Sequence, residues 1–234
     1  MEAATEKLNA AKKAISYIEN GMVVGLGSGS TSALMIMLLG EQVFEGLQIH
    51  GVASSKKSEQ LAAKLGIPLL PLNQTTSIDI NIDGADEFTE GLQLIKGGGG
   101  ALLREKIIAH YSNLNIIIAD SSKKSARLGS YRLPLEVIPF AEQKIRNELK
   151  EMGLDPSLRM EEGMAYRTDQ ENSILDLDVS TWDDMEALEK LLQSIPGIVE
   201  TGLFLHSTDR VIMGIGTDTL EYRRNSNGIN IKTP

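Results

Sequence analysis

The chain has 234 residues, 41% hydrophobic and 24% charged, enough to bury a sizeable core as one large α/β domain or as a domain with a smaller companion. Its formal charge of -9 argues against a nucleic-acid partner, which demands a basic face, but not against a small phosphorylated ligand, because helix N-terminal amides bind an anion whatever the net charge. The absence of cysteine excludes disulfides and thiolate metal sites; with no signal pattern in Met1 to Lys13 and no apolar run longer than Ala33 to Leu39, a cytoplasmic protein without a membrane partner is expected.

Leu8, Ala11, Ile15 and Ile18 recur at helical spacing, which predicts a helix over 5–19 stopped by Gly21. A strand at Met22 to Leu26 runs into Gly27-Ser28-Gly29-Ser30-Thr31, and Ala33 to Leu39 reads as a buried helix. Leu47 to Ala53 is a second strand, Ser54 and Ser55 cap a helix through Leu65, and Ile67 to Leu72 begins a third strand. Ile78 to Ile82 is a fourth strand that leads into an acidic turn. Ala101 to Tyr111 is a helix, and Asn115 to Asp120 is a strand Ile-rich enough to be covered on both faces. This alternation predicts a doubly wound, Rossmann-like, mostly parallel sheet whose ligands sit beyond the carboxyl ends of its strands.

From about Tyr131 the rhythm changes. Strands at Leu133 to Ile138, Ser157 to Met160, Ile174 to Val179 and Ile198 to Leu205, with helices at Ala141 to Met152 and Asp183 to Gln193, follow the ferredoxin-like order β-α-β-β-α-β. Val211 to Ile215 reads as a strand returning to the first sheet. The expected division is therefore a catalytic α/β domain over 1–130 plus 207–234, with a smaller α+β domain inserted over 131–206. The tail from Glu221 to Pro234 reads as a mobile or dimer-facing end.

The chemistry concentrates between residues 82 and 106. Asp83 and Asp86 sit in one turn with Gly84 and Ala85, Lys96 closes a short apolar run, and Gly97 to Gly100 follow. Four glycines in a row contribute no packing, which suggests close approach of a ligand to the main chain. They leave the Lys96 ammonium beside bare amides where an oxyanion could sit, although a lysine at a strand end also serves as a snorkelling edge residue. The aspartates likewise suit a purely local turn. Glu105 has Ala101, Leu102, Ile108 and Ala109 as its helical neighbours, so its carboxylate is partly desolvated and its pKa moves toward that of a general base.

The Gly27 turn offers amides, three hydroxyls and a helix start to a phosphate, or else is a tight turn with a serine cap. It lacks the ending of a P-loop and the third glycine of a dinucleotide fingerprint. Lys123, past another strand end, is either a second anion contact or a solvated charge. The three histidines, His50, His110 and His206, lie away from the acidic turn, so no metal is expected.

The segments G-L-G-S-G-S-T at 25–31, D-G-A-D-E at 83–87, I-K-G-G-G-G-A-L at 95–102 and R-E-K at 104–106 resemble the signature of type A ribose-5-phosphate isomerases. A-D-S-S-K at 119–123, L-P-L-E-V-I-P at 133–139 and G-L-F at 202–204 match in the same order, so the likeness spans nearly the whole chain. Position 28 is serine where the family often has threonine, and Gly100 stands where alanine is common.

The resemblance implies interconversion of D-ribose 5-phosphate and D-ribulose 5-phosphate in the non-oxidative pentose phosphate pathway, through an enediolate and without cofactor or metal. It implies Glu105 as the base, Asp83 for ring opening, and Asp86 with the Gly84-Ala85 turn against sugar hydroxyls. Lys96 and the amides of Gly97, Gly98 and Gly99 would hold the oxyanion, with Ser28, Gly29, Ser30, Thr31 and Lys123 binding substrate. A homodimer is implied as well. The rivals are an amino-sugar phosphate deaminase or CoA transferase on a related fold, and a sensor that binds sugar phosphate without turnover.

Overall fold

The computed structural model describes residues 2–225 and 228–232. Helix α1 (Glu2–Ile15) precedes β1 (Val23–Leu26), α2 (Ser30–Phe44), β2 (His50–Ala53) and α3 (Lys56–Lys64). Then come β3 (Ile80–Gly84), two short strands β4 (Glu87–Phe88) and β5 (Leu94–Ile95), helix α4 (Leu102–His110) and β6 (Asn115–Asp120). The second half runs β7 (Leu133–Val137), α5 (Glu142–Glu151), β8 (Asp155–Leu158), β9 (Met160–Glu161), β10 (Met164–Ala165), β11 (Ser173–Asp178), α6 (Met185–Gln193) and β12 (Ile198–Thr201). It closes with β13 (Leu203–Phe204), β14 (Arg210–Ile215), β15 (Asp218–Asn225) and β16 (Gly228–Lys232).

The main sheet has seven strands in the order β16-β15-β14-β6-β3-β1-β2. Its members from β14 to β2 are parallel, and β15 and β16 add an antiparallel edge. Side chains alternate across it: Ile116 and Ile118 of β6 join the core beneath α1 and α2, whereas Ile117 and Ala119 pack with Phe88, Leu94 and Tyr222. Each such fully buried aliphatic side chain stabilises the fold by roughly 1.5–3 kcal/mol. Since β2 and β3 flank β1 on opposite sides, the crevice at the carboxyl ends of β1 and β3 is where the strand order reverses.

The strands β12-β7-β11-β8 form a separate antiparallel sheet, in the 4-1-3-2 order of a ferredoxin-like unit. Ile145 and Leu149 of α5 and Leu188 and Leu192 of α6 close its core.

Three expectations need correction. Residues 67–72 form no strand: Pro68 and Pro71 lack ladder donors, and the segment makes only a bridge from Leu69 to Gly51 before a 3-10 turn. The strand expected over 198–205 breaks at Gly202, where a Cβ would collide with the Lys96 carbonyl; β12 stays with β7 while β13 pairs β5. The tail is not a loose end over 221–224, because β15 pairs with β14 and buries Tyr222. Ser226, Asn227, Thr233 and Pro234 lie outside the described residues.

Candidate active site

Strand β1 ends at Leu26, and the chain turns sharply over the end of β3. A Cβ on Gly27 would collide with the Asp83 carboxylate, so glycine is required by that approach, and Gly29 holds φ +97° as the cap of α2. The start of α2 therefore presents Ser30 and Thr31, with the unpaired amides of a first helical turn, to a cavity of about 90 Å³. Lys7 and Lys123 face the same cavity from α1 and from the 3-10 turn after β6. Two cations and a helix N-terminus give this end a positive field suited to an anion. Ser28 lines it too, but its hydroxyl is tied 2.8 Å from those of Ser54 and Ser55.

The other end holds the carboxylates. Asp83 is 1% exposed; its Oδ1 accepts from the amides of Ser28 (2.9 Å) and Gly84 (2.7 Å) and from the Ser32 hydroxyl (3.2 Å). Its Oδ2 lies 3.0 Å from Lys96 Nζ, which also donates to the Gly84 carbonyl at 2.6 Å. Burial alone would lower the Lys96 pKa, but the charges of Asp83 and Glu105 outweigh it and the ammonium is held above its usual value. Lys96 is a fixed cation.

Glu105, 5% exposed in α4, sits on the far side of that cation, with Oε2 3.3 Å from Lys96 Nζ. That oxygen has no hydrogen-bond partner of proper geometry. Burial pushes its pKa up to about 8; Lys96 opposes the rise, and the charges of Asp83 and Asp86 add to it. A desolvated carboxylate short of donors, on the wall of a cavity, has the character of a general base.

The glycine loop closes the cavity. The Gly98 amide donates to Asp86 Oδ2 at 2.7 Å, and the Gly100 amide to the Gly97 carbonyl at 2.9 Å. Gly97 and Gly99 line the cavity, as do Gly84, Ala85 and Asp86. The residues expected from sequence thus converge, with two shifted: Asp83 stands one layer back behind Lys96, and Gly98 is turned onto Asp86. Lys7 was not anticipated. It has the look of a solvated helix charge, and only the packing of α1 brings its Nζ to 3.1 Å from Ser30 Oγ. The signal for that packing is Glu6, whose buried carboxylate accepts from the amides of Ser121 (3.0 Å) and Gly216 (2.9 Å).

Among the described residues, no group of three or more histidine, aspartate or glutamate side chains converges as metal ligands would, and no helix is long and apolar enough to cross a membrane. A larger groove, about 700 Å³, is lined by Leu69 to Leu72, Leu103 and Ile107. It lacks the convergence of charged groups that marks the smaller cavity.

Residues 50–218 match the family model described as ribose 5-phosphate isomerase A (phosphoriboisomerase A). The chain is 48% identical to a ribose-5-phosphate isomerase A of Listeria innocua over 217 residues, covering 92% of this chain and 97% of the relative. To the protein of the same name from a Ruegeria species it is 45% identical, over 93% of this chain and 86% of that one. Among solved structures, a D-ribose-5-phosphate isomerase in complex with phospho-erythronic acid superposes with a TM-score of 0.89 at 37% identity, covering both chains fully. The ribose 5-phosphate isomerase A of Methanocaldococcus jannaschii gives 0.85 at 36% identity, over 97% of this chain and 98% of the other.

Proposed function

The chain belongs to the ribose 5-phosphate isomerase A family, and from that premise we propose that this cavity interconverts D-ribose 5-phosphate and D-ribulose 5-phosphate with Glu105 as the base. The observation that carries the reading is the Glu105 carboxylate, buried on the cavity wall with an oxygen lacking a hydrogen bond, 3.3 Å from the Lys96 ammonium.

The phosphate lies against Ser30, Thr31 and the first turn of α2, between Lys7 and Lys123. Ring opening falls to the Asp83–Lys96 ion pair, with Nζ 3.0 Å from Oδ2. In the open aldose, Glu105 takes the proton from C2. The released electron pair forms the C1–C2 double bond, and the former carbonyl electrons move onto O1. Lys96 and the Gly97 and Gly99 amides stabilise that oxyanion, the largest single contribution in sites of this kind. Protonated Glu105 then returns its proton to C1 while the O2 proton passes to O1, leaving the ketose. Asp86 and the Gly84-Ala85 turn orient the hydroxyls. Residues 131–206 are read as an inserted domain on a 1–130 plus 207–234 catalytic domain, and a cytoplasmic homodimer as the working form.

The test is ketose formation from ribose 5-phosphate, with and without a chelator. Equal turnover in both is expected. Binding without turnover would instead identify a sensor, and ammonia release from an amino-sugar phosphate or a thioester formed with CoA would identify one of the related enzymes.

A further inference from the structure

The glycine loop does not hold its shape alone: beside the Gly100 amide on the Gly97 carbonyl, a side chain from the other sheet grips it. Arg159, between β8 and β9, reaches across and donates from Nη1 to the carbonyls of both Gly97 (2.8 Å) and Gly98 (3.0 Å). Its opposite edge is fixed by Asp176 of β11, which accepts from Nε at 2.9 Å and also from Nη2. Such a fork is stiff, because a planar guanidinium is pre-organised for two acceptors at once.

In a trans peptide the C=O of one residue and the N–H of the next point in opposite directions. Binding the Gly97 carbonyl from outside therefore aims the Gly98 N–H inward, where Asp86 receives it at 2.7 Å. By the same rule, binding the Gly98 carbonyl aims the Gly99 N–H toward the cavity that Gly99 lines. Glycines, free to rotate their peptide planes, otherwise impose no such direction. The cation also polarises both peptides, which strengthens their amides as donors.

The geometry points to Arg159 as a positioning residue for isomerisation: held by Asp176, it fixes two peptide planes of the loop, one aiming the Gly98 amide at Asp86 and the other aiming the Gly99 amide at the oxyanion, and so ties the ferredoxin-like sheet to the chemistry. This rests on the isomerase reading. It predicts that losing Arg159 weakens oxyanion binding and spares phosphate binding.

Arg159→Ala and Arg159→Lys would be compared with wild type for turnover of ribose 5-phosphate and for binding of two probes. Inorganic phosphate reports only the anion end; phospho-erythronate adds a carboxylate where the enediolate oxygens form. In Arg159→Ala, kcat is expected to fall roughly 10- to 100-fold with KM within about threefold, below the loss seen for an oxyanion donor removed outright. Phospho-erythronate affinity should drop by a similar factor, with phosphate affinity unchanged. Millimolar guanidinium should restore part of kcat, and Arg159→Lys, able to reach one carbonyl, should fall between.

Unchanged kcat and phospho-erythronate affinity would overturn the inference, as would a loss in which phosphate affinity falls in step and guanidinium rescues nothing. If Arg159→Ala does not fold, Asp176→Asn frees the fork while keeping the arginine, and the same readouts decide. If the wild type does not isomerise, the functional reading fails separately, and the ratio of the two probe affinities still tests the loop.

Discussion

Two buried glutamates, one in β4 and one in α4, show what separates a carboxylate that holds the fold from one left available for chemistry. Glu87 in β4 is 2% exposed and Glu105 in α4 is 5% exposed, so solvent exposure does not distinguish them, although Glu105 lies deeper in the protein. Donors do. The Glu87 oxygens accept from the amides of Gly129 (3.0 Å), Ser130 (3.1 Å) and Tyr131 (3.1 Å). Burial alone would raise its pKa; the Ser125 hydroxyl and those three amides reverse the sign and hold it below the ordinary value. Glu105 receives no amide, so there burial wins. The turn at 129–131 has been closed over one carboxylate, and the cavity left open beside the other.

The contrast breaks first at Glu105. Glu105→Gln keeps the shape and removes the acceptor, so kcat should fall about 100-fold or more, the scale of a general base, with little change in substrate affinity. Comparable turnover in steady-state assays would remove Glu105 from that role. Glu87→Gln should do the reverse. Losing charge-assisted bonds costs about 1.5–3 kcal/mol each at most, and with three amides partly re-accepted by the amide oxygen a Tm drop of roughly 5–10 °C is expected. Turnover per folded molecule should stay within about threefold. A Glu87→Gln protein that melts like wild type would show that the amides do not hold the turn through charge.

The two carboxylates should also respond oppositely to pH. Folding favours the protonated form of Glu105, so its contribution to stability is present below the ordinary 4.5 and is lost as pH rises toward about 8. Glu87, held below 4.5, contributes stability above that value and loses it as pH falls through its folded pKa. In the proposed mechanism catalysis needs the ionised Glu105, so kcat/KM should climb with pH through neutrality and drop about tenfold per unit below the base's pKa. A profile flat from pH 6 to 9 would contradict the raised value, and Glu105→Gln should flatten the stability loss between pH 5 and 8 in thermal melts.

Much of this arrangement is legible in the sequence because parallel strands end where ligands bind. The Gly27 turn, Asp83 and Asp120 are strand-end residues in a chain whose α/β alternation is plain, and the apolar neighbours of Glu105 point to its desolvation, although Arg104 has neighbours just as apolar. Most of what the sequence hides has one cause. Lys7 and Arg159 act through packing between segments far apart in the chain, Lys7 on Ser30 and Arg159 on Gly97 and Gly98. No local period encodes such a meeting. The break at Gly202 is of the same kind: the residue is glycine because Lys96 and Pro134 crowd it, and both are distant in sequence. Only the missing strand at 67–72 was readable, from Pro68 and Pro71.

The finest division lies between the two ends of the cavity. At the proposed anion end, as around Glu87, negative charge would meet main-chain amides, and no single side chain should dominate. Thr31, in the first turn of α2 and lining the cavity, contributes one hydroxyl among the helix amides, Ser30, Lys7 and Lys123. A net hydrogen bond is worth about 0.5–1.5 kcal/mol, so Thr31→Ala should weaken phosphorylated-sugar binding by roughly 3- to 10-fold, and kcat should hold within about twofold. Titration calorimetry with ribose 5-phosphate and with unphosphorylated ribose separates the cases. Weakening confined to the phosphorylated sugar locates the phosphate at α2, whereas equal affinity in variant and wild type would move it off the helix and onto the two lysines.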